Sequence, residues 1–185
     1  LKQGKRLLIS GSAGVGKTFL VNELIASLNH IVPFGKKIYC SAPTNKAVAV
    51  VKGKVDERMN LEFTTVHSAL KIKRQVNFKT GAITFKPYYS EKYPPLKGVA
   101  VFIIDEASML NTELLKYVEE HATKNNTTVI FIGDHKQLNP VGEDVSPVFT
   151  ANYPEVELTE IIRQGEGNPI INLSRNLGII VDKKD

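Results

Sequence analysis

Short runs of apolar, β-branched residues alternate along the chain with stretches in which apolar residues return every three or four positions. That alternation predicts an α/β fold, a parallel sheet with helices on both faces. The first buried strand is expected over 5–10 and the helix after it over 19–28. A second strand is expected over 38–42, ended by Pro43, followed by a short helix over Asn45–Lys52. Val99–Ile104 is the most hydrophobic run of all. A strand with no polar face belongs in the middle of a sheet, buried on both sides. A helix follows over 112–122 with Leu114, Leu115 and Val118 on one face, then a buried strand over 128–132. A last strand over 156–158 and a last helix over 168–176 complete the pattern.

Residues 71–97 interrupt it. They hold seven basic side chains against one acidic, together with Tyr88, Tyr89, Tyr93 and two phenylalanines. Residues 76–85 read as two strand-like halves around Thr80 and Gly81, so a small inserted β-hairpin is expected. Basic residues mixed with aromatic ones suit a single-stranded nucleic acid. The plainer reading is a surface excursion without a role.

Composition narrows the class. At 42% hydrophobic and 23% charged, 185 residues form one ordinary globular core, which excludes disordered and fibrous folds. The apolar runs are too short to span a bilayer, and no charged-then-apolar leader opens the segment. The one cysteine, Cys40, excludes an internal disulfide framework and suggests a reducing compartment, so a cytoplasmic location is expected. Four scattered histidines and one cysteine make no metal-ligand cluster. Charge is more informative in its distribution than in its +5 total: residues 1–104 carry a net +12 and residues 105–185 a net −7. One basic face would suit a polyanion, although lysines are also ordinary solvated surface residues.

The strongest chemical signal is the run Gly11, Ser12, Ala13, Gly14, Val15, Gly16, Lys17 and Thr18, directly after a strand and opening a helix. Glycines let backbone N–H groups close around phosphate oxygens, and the helix N-terminus adds partial positive charge. Lys17 is placed to neutralise the β- and γ-phosphates, and the Thr18 hydroxyl to ligate Mg²⁺. This is a nucleoside triphosphate site. Asp105 and Glu106 end the apolar run Val99–Ile104, and the carboxyl ends of parallel strands share one crevice. Asp105 is placed to hold Mg²⁺ and Glu106 to take a proton from the attacking water. A third loop, from Gly133 through Gln137 and Pro140 to Gly142, also follows a buried strand and can present Gln137 to the γ-phosphate.

Further strings complete a set: residues 42–47 (Ala-Pro-Thr-Asn-Lys-Ala), 65–68 (Thr-Val-His-Ser) and 158–164, which includes Thr159, Glu160, Arg163 and Gln164. In this order, and over nearly the whole chain, they resemble motifs Ia, Ib and IV around the phosphate loop, the Asp-Glu pair and motif III of superfamily 1 DNA helicases. The group is the one containing Pif1, the RecD helicases and the phage helicase Dda. The resemblance implies a RecA-like P-loop NTPase domain over 1–70 and 98–185, with a pin-like 1B subdomain inserted at 71–97. It implies the ATP- and Mg²⁺-dependent motor of a 5′-to-3′ DNA helicase.

The resemblance also implies residue roles. Gln137 would couple the γ-phosphate to DNA, and Arg163 would reach that phosphate as a charge stabiliser. Thr44, Asn45, Thr65 and His67 would line the path of single-stranded DNA, contacting backbone or, for His67, stacking on a base. Phe85, near the tip of the insert, would help to separate the strands. A core histidine at 67 and a packing role for Phe85 are the plain alternatives. The expected partners are single-stranded DNA and a second RecA-like domain of the same protein, which nothing after Asn176 resembles. A monomer is expected, with no membrane. A fragment of this kind would not unwind DNA alone. A viral-type RNA helicase domain and a nucleotide-gated binding module without turnover are the competing classes.

Overall fold

The chain folds in the order β1 (Arg6–Gly11), α1 (Lys17–Asn29), β2 (Lys37–Ala42), α2 (Asn45–Lys52), β3 (Leu61–Thr65), α3 (Val66–Ala69), β4 (Ile72–Val76), β5 (Ile83–Pro87), β6 (Val99–Ile104), α4 (Thr112–Lys124), β7 (Thr128–Gly133) and β8 (Glu155–Leu158). Two 3₁₀ turns, Ala107–Met109 and Pro147–Phe149, follow β6 and precede β8. The computed structural model describes residues 4–12, 15–29, 31–53, 55, 61–76, 78–81, 83–90 and 92–158, without the side chains of Thr18, Asn29, Arg74 and Ile83.

Six strands form one parallel sheet in the order β3-β2-β6-β7-β1-β8. The order follows from burial. Strands β6 and β7 are the most apolar and lie centrally, whereas β8 alternates exposed and covered positions and takes an edge. Successive residues of the central strands enter opposite cores. Leu7, Ile9, Val101, Ile103, Ile130 and Ile132 pack with Leu20, Leu24 and Leu28 of α1. Leu8, Phe102, Ile104 and Phe131 pack on the other face with Leu114, Leu115 and Val118 of α4. The doubly covered sheet is the expected α/β architecture. Burying each large side chain contributes about 1.5–3 kcal/mol, and 0% exposure at Phe102 and Phe131 puts the largest contributions at the centre.

Most expected elements are present, with boundaries moved by one or two residues at most strand ends. Two elements were not expected, β3 and α3. Strand β3 (Leu-Glu-Phe-Thr-Thr) pairs only with β2, at an edge, so it needs too little apolar surface to announce itself. The hairpin is displaced from its expected place at 76–85. Its strands are β4 and β5, paired antiparallel as a separate two-stranded sheet with Ile72 opposite Pro87 and Val76 opposite Ile83. Strand pairing ends at Val76 instead of beginning there, because Ile72 is itself buried in the core and fixes where the hairpin leaves it. The expected helix over 168–176 lies outside the described residues.

Candidate nucleotide site

All six strands of the main sheet point their carboxyl ends the same way, and the candidate chemistry gathers there. Gly11 ends β1 where a side chain would not fit: a Cβ would stand 2.8 Å from Val15 Cγ2 and 3.0 Å from Leu158 Cβ of β8. Gly16 turns the chain into α1 at φ +92°, a region that favours glycine. Lys17 opens α1, and its ammonium donates to the carbonyls of Gly11 (2.5 Å) and Ser12 (2.9 Å), which places a positive charge in the mouth of the loop. Ala13, Gly14 and the side chain of Thr18 lie outside the described residues.

Two strands away, Asp105 leaves β6 with its N–H donated to the carbonyl of Ser41 at the end of β2 (2.8 Å). Asp105 Oδ1 accepts the N–H of Glu106 at 2.9 Å. Glu106 itself is left-handed, φ +53° and ψ +40°. A non-glycine residue in that region costs about 1–2 kcal/mol, and such strain collects at functional sites, where surrounding structure enforces it. Here the enforcement is visible. Gly133, ending β7, lies flat on the following turn, so that a Cβ there would come within 3.3 Å of Ser108 N. From beyond it Ser146, fully buried, points Oγ at the carbonyls of Leu110 (2.7 Å) and Ala107 (3.1 Å). Glu143 accepts both the N–H and the hydroxyl of Thr112 at the start of α4. The loop after β7 is thereby fastened to the loop after β6.

That third loop carries Gln137. Asp134, 5% exposed, accepts the N–H of Lys136 on Oδ1 and that of Gln137 on its carbonyl. The tight turn brings Gln137 into the wall of a cleft of about 620 Å³ together with Thr44, Asp105, Glu106 and Ser108. Lys17 stands at the same edge of the sheet, outside that wall.

The candidate nucleic-acid residues are divided among three places. Thr44 lies in the cleft wall and caps α2, its hydroxyl accepting the N–H of Ala47 at 3.2 Å; Asn45 is the first residue of that helix. Thr65 caps α3, accepting the Ser68 N–H at 3.2 Å and donating to Ser68 Oγ at 2.9 Å. His67 and Phe85 meet with their rings tilted by 34°, ring centroids 4.7 Å apart, in a second groove of about 200 Å³ lined also by Pro43, Ile72, Tyr117 and Pro140. Burial pushes the His67 imidazole pKa down from its usual 6.5. Phe85 is therefore not near the tip of the hairpin. It pairs opposite Arg74 in the middle of β5 and packs against the core. The ring that stands at the tip is Phe78, 98% exposed, just before the Thr80–Gly81 turn. An aromatic residue beside a glycine turn was the available sequence signal for it. Arg163, with Thr159, Glu160 and Gln164, lies outside the described residues.

Residues 1–178 match the family described as AAA domain. The chain belongs to that family. Within it, the chain is similar to helicases of the Pif1 and RecD type. It is 28% identical over 198 residues to the RecD subunit of the RecBCD enzyme of Buchnera aphidicola, an alignment covering 96% of this chain and 31% of that protein. It is 30% identical over 176 residues to the mimivirus protein R530, across 86% of this chain and 35% of that one. A Pif1 structure from Bacteroides sp, in complex with ADP-AlF4, superposes with a TM-score of 0.58 at 23% identity, over 95% of this chain and 42% of the other. The fold is thus the RecA-like P-loop NTPase fold. The chain spans about a third of the length of the curated relatives it matches. No helix among the described residues is long and apolar enough to cross a membrane.

Proposed function

We propose that this chain is the ATP-hydrolysing motor domain of an ATP-dependent 5′-to-3′ DNA helicase that moves on single-stranded DNA with a second RecA-like domain. The observation that carries the reading is the meeting of Asp105, a strained Glu106 and Gln137 in one cleft, at the sheet edge that also holds the phosphate loop. The phosphates of ATP would sit under the backbone N–H groups of the loop, with Lys17 exchanging its carbonyl partners for β- and γ-phosphate oxygens. Mg²⁺ fits the donors available. Asp105 supplies a hard carboxylate oxygen, and no cluster of three or more His, Cys, Asp or Glu occurs among the described residues. An ion held by Asp105 and Thr18 would complete its shell with phosphate oxygens and water. When bound, it neutralises charge on the phosphates. Glu106 takes the proton of the attacking water, Gln137 contacts the γ-phosphate from the facing loop, and Arg163 adds positive charge.

On the DNA side, Thr44, Asn45, Thr65 and His67 would follow the strand. The hairpin of residues 71–97 would act as the 1B pin, with Phe78 as the leading ring and Phe85 bracing it on His67. Several relatives, among them Pif1 and RecD2, carry the name of ATP-dependent DNA helicases, which favours DNA over RNA as the track. The decisive experiment is ATP hydrolysis by the full-length protein with single-stranded DNA, with matched RNA and with neither. Stimulation by DNA supports the motor, stimulation by RNA alone overturns the DNA assignment, and bound ATP without stimulated turnover overturns the motor.

A further inference from the structure

Buried polar atoms in folded proteins keep hydrogen-bond partners, because leaving one unmet forfeits its hydration with nothing in return. Three buried serine hydroxyls at the carboxyl edge of this sheet, those of Ser10, Ser41 and Ser108, depart from that rule. Ser41 Oγ and Ser108 Oγ are each buried without a hydrogen-bond partner among the described residues, and the residues are 2% and 0% exposed. Ser41 and Ser108 flank the Asp105–Glu106 pair. The Ser41 carbonyl holds the Asp105 N–H, and Ser108 lies in the turn that Glu106 opens. Ser108 is moreover part of the wall of the cleft that holds Asp105, Glu106 and Gln137.

The turn beneath Ser108 is held from two sides, by Gly133 lying on its backbone and by Ser146 bonded to the Ala107 and Leu110 carbonyls. A polar group kept unpartnered on so fixed a backbone is preorganised for a ligand. With Asp105 given to the metal, the ligand left for Ser108 and Glu106 is a small one that is not an anion. Two carboxylates occupy this corner, and an anionic oxygen against them is repelled. A water molecule can donate to a carboxylate and to a hydroxyl at once.

We propose that Ser108 is a further catalytic residue of the nucleotide site, its Oγ accepting a hydrogen bond from the water that attacks the γ-phosphate. The proposal rests on Glu106 being the base. The water donates one hydrogen to the Glu106 carboxylate and the other to Ser108 Oγ, and its lone pair faces the γ-phosphorus. In the step, the water oxygen forms a bond to phosphorus and the bond from phosphorus to the bridging oxygen of ADP breaks. The released proton passes to Glu106, while Ser108 keeps its own proton and acts by orientation.

The test is Ser108→Ala in the full-length protein, measured by DNA-stimulated ATPase kinetics, by affinity for a non-hydrolysable ATP analogue and by thermal unfolding. The expected result is a kcat lower by ten-fold or more, with KM and analogue affinity within two-fold. Tm should be unchanged or higher, since an unpartnered hydroxyl has been removed. An unchanged kcat overturns the proposal. So does a lowered Tm or failure to fold, which assigns the hydroxyl to structure, and so does a loss of analogue affinity that accounts for the rate. Glu106→Gln separates the two layers of the argument. Near-normal turnover in that variant overturns the base assignment by itself. An inactive Glu106→Gln beside a fully active Ser108→Ala overturns only the role of Ser108. In the Glu106→Gln background, Ser108→Ala should add less than two-fold, because both residues act on one water.

Discussion

Glu106 has the carboxylate that the proposed hydrolysis needs and a backbone conformation that most residues avoid, φ +53°. Both properties attach to one position because the chain must reverse sharply between β6 and the 3₁₀ turn while keeping the side chain in the cleft. Glu106→Gln preserves shape and removes basicity. It should therefore bind ATP normally and lose turnover by 10²-fold or more, within the range for a general base. Lys17→Ala, which removes the charge from the loop mouth, should abolish hydrolysis through loss of nucleotide binding. Equilibrium binding of a fluorescent ATP analogue distinguishes the two, and equal affinities would defeat this division of labour. Gly133→Ala tests the fastening between the two loops. Its Cβ would meet Phe149 Cζ at 3.1 Å and Ser108 N at 3.3 Å, so the turn under Glu106 must shift. A loss of about 1–3 kcal/mol in unfolding free energy is expected, as for an overpacked core, accompanied by slower ATP turnover. Denaturant unfolding and ATPase assays read the two effects separately.

At the level of elements, the hairpin matters most. Its apolar side, with Ile72 and Phe85, lies toward the core, and its other side sets Lys73 directly opposite Lys86. Like charges opposed across a strand pair destabilise it, and a polyanion would relieve that repulsion. Neutralising Lys73, Arg74 and Lys79 together should weaken DNA binding and reduce its salt slope by about 2, at roughly 0.7 per phosphate contact on single strands. A fluorescence titration across salt concentrations measures it, and an unchanged slope would return the hairpin to ordinary solvated surface. Phe78→Ala should impair strand displacement while leaving DNA-stimulated ATPase intact.

Two histidines anchor this hairpin region: His67 packs against Phe85, and His121 Nε2 meets the Tyr89 hydroxyl at 3.2 Å. Burial lowers both imidazole pKa values below 6.5; for His121, Glu120 opposes the shift and Lys124 adds to it. A lowered folded-state pKa means that the unfolded chain binds protons first. Stability is therefore complete above pH 6.5 and declines as pH falls below it. Thermal unfolding between pH 8 and 5.5 should show the decline, and the double variant His67→Gln, His121→Gln should flatten it.

For the whole molecule, the sheet gathers the candidate site at one edge, its carboxyl ends, and in the proposed motor ATP hydrolysis would become movement only when a second domain opens and closes over that edge. This chain alone should bind nucleotide and hydrolyse it slowly, and should not displace a DNA strand. The full-length protein should do all three. Strand displacement by the isolated chain at the full-length rate would remove the need for the second domain.

Sequence by itself determined the fold class, the two central strands and the family, and it proposed the phosphate loop and the Asp105–Glu106 pair, because each is carried by contiguous residues whose chemistry or periodicity is local. Short edge elements were less legible. Strand β3 draws its place from pairing with β2, and the hairpin register is set by Ile72 entering a core made largely by distant residues. Only the tertiary structure decided that Phe85 is a mid-hairpin packing ring and Phe78 the ring at the tip. It alone showed Glu106 left-handed, the turn under Ser108 held by Ser146, and Gln137 sharing one cleft with the carboxylates. Those contacts join residues some thirty or more positions apart. No local pattern encodes them, since each depends on how two loops pack against one another once the sheet has formed.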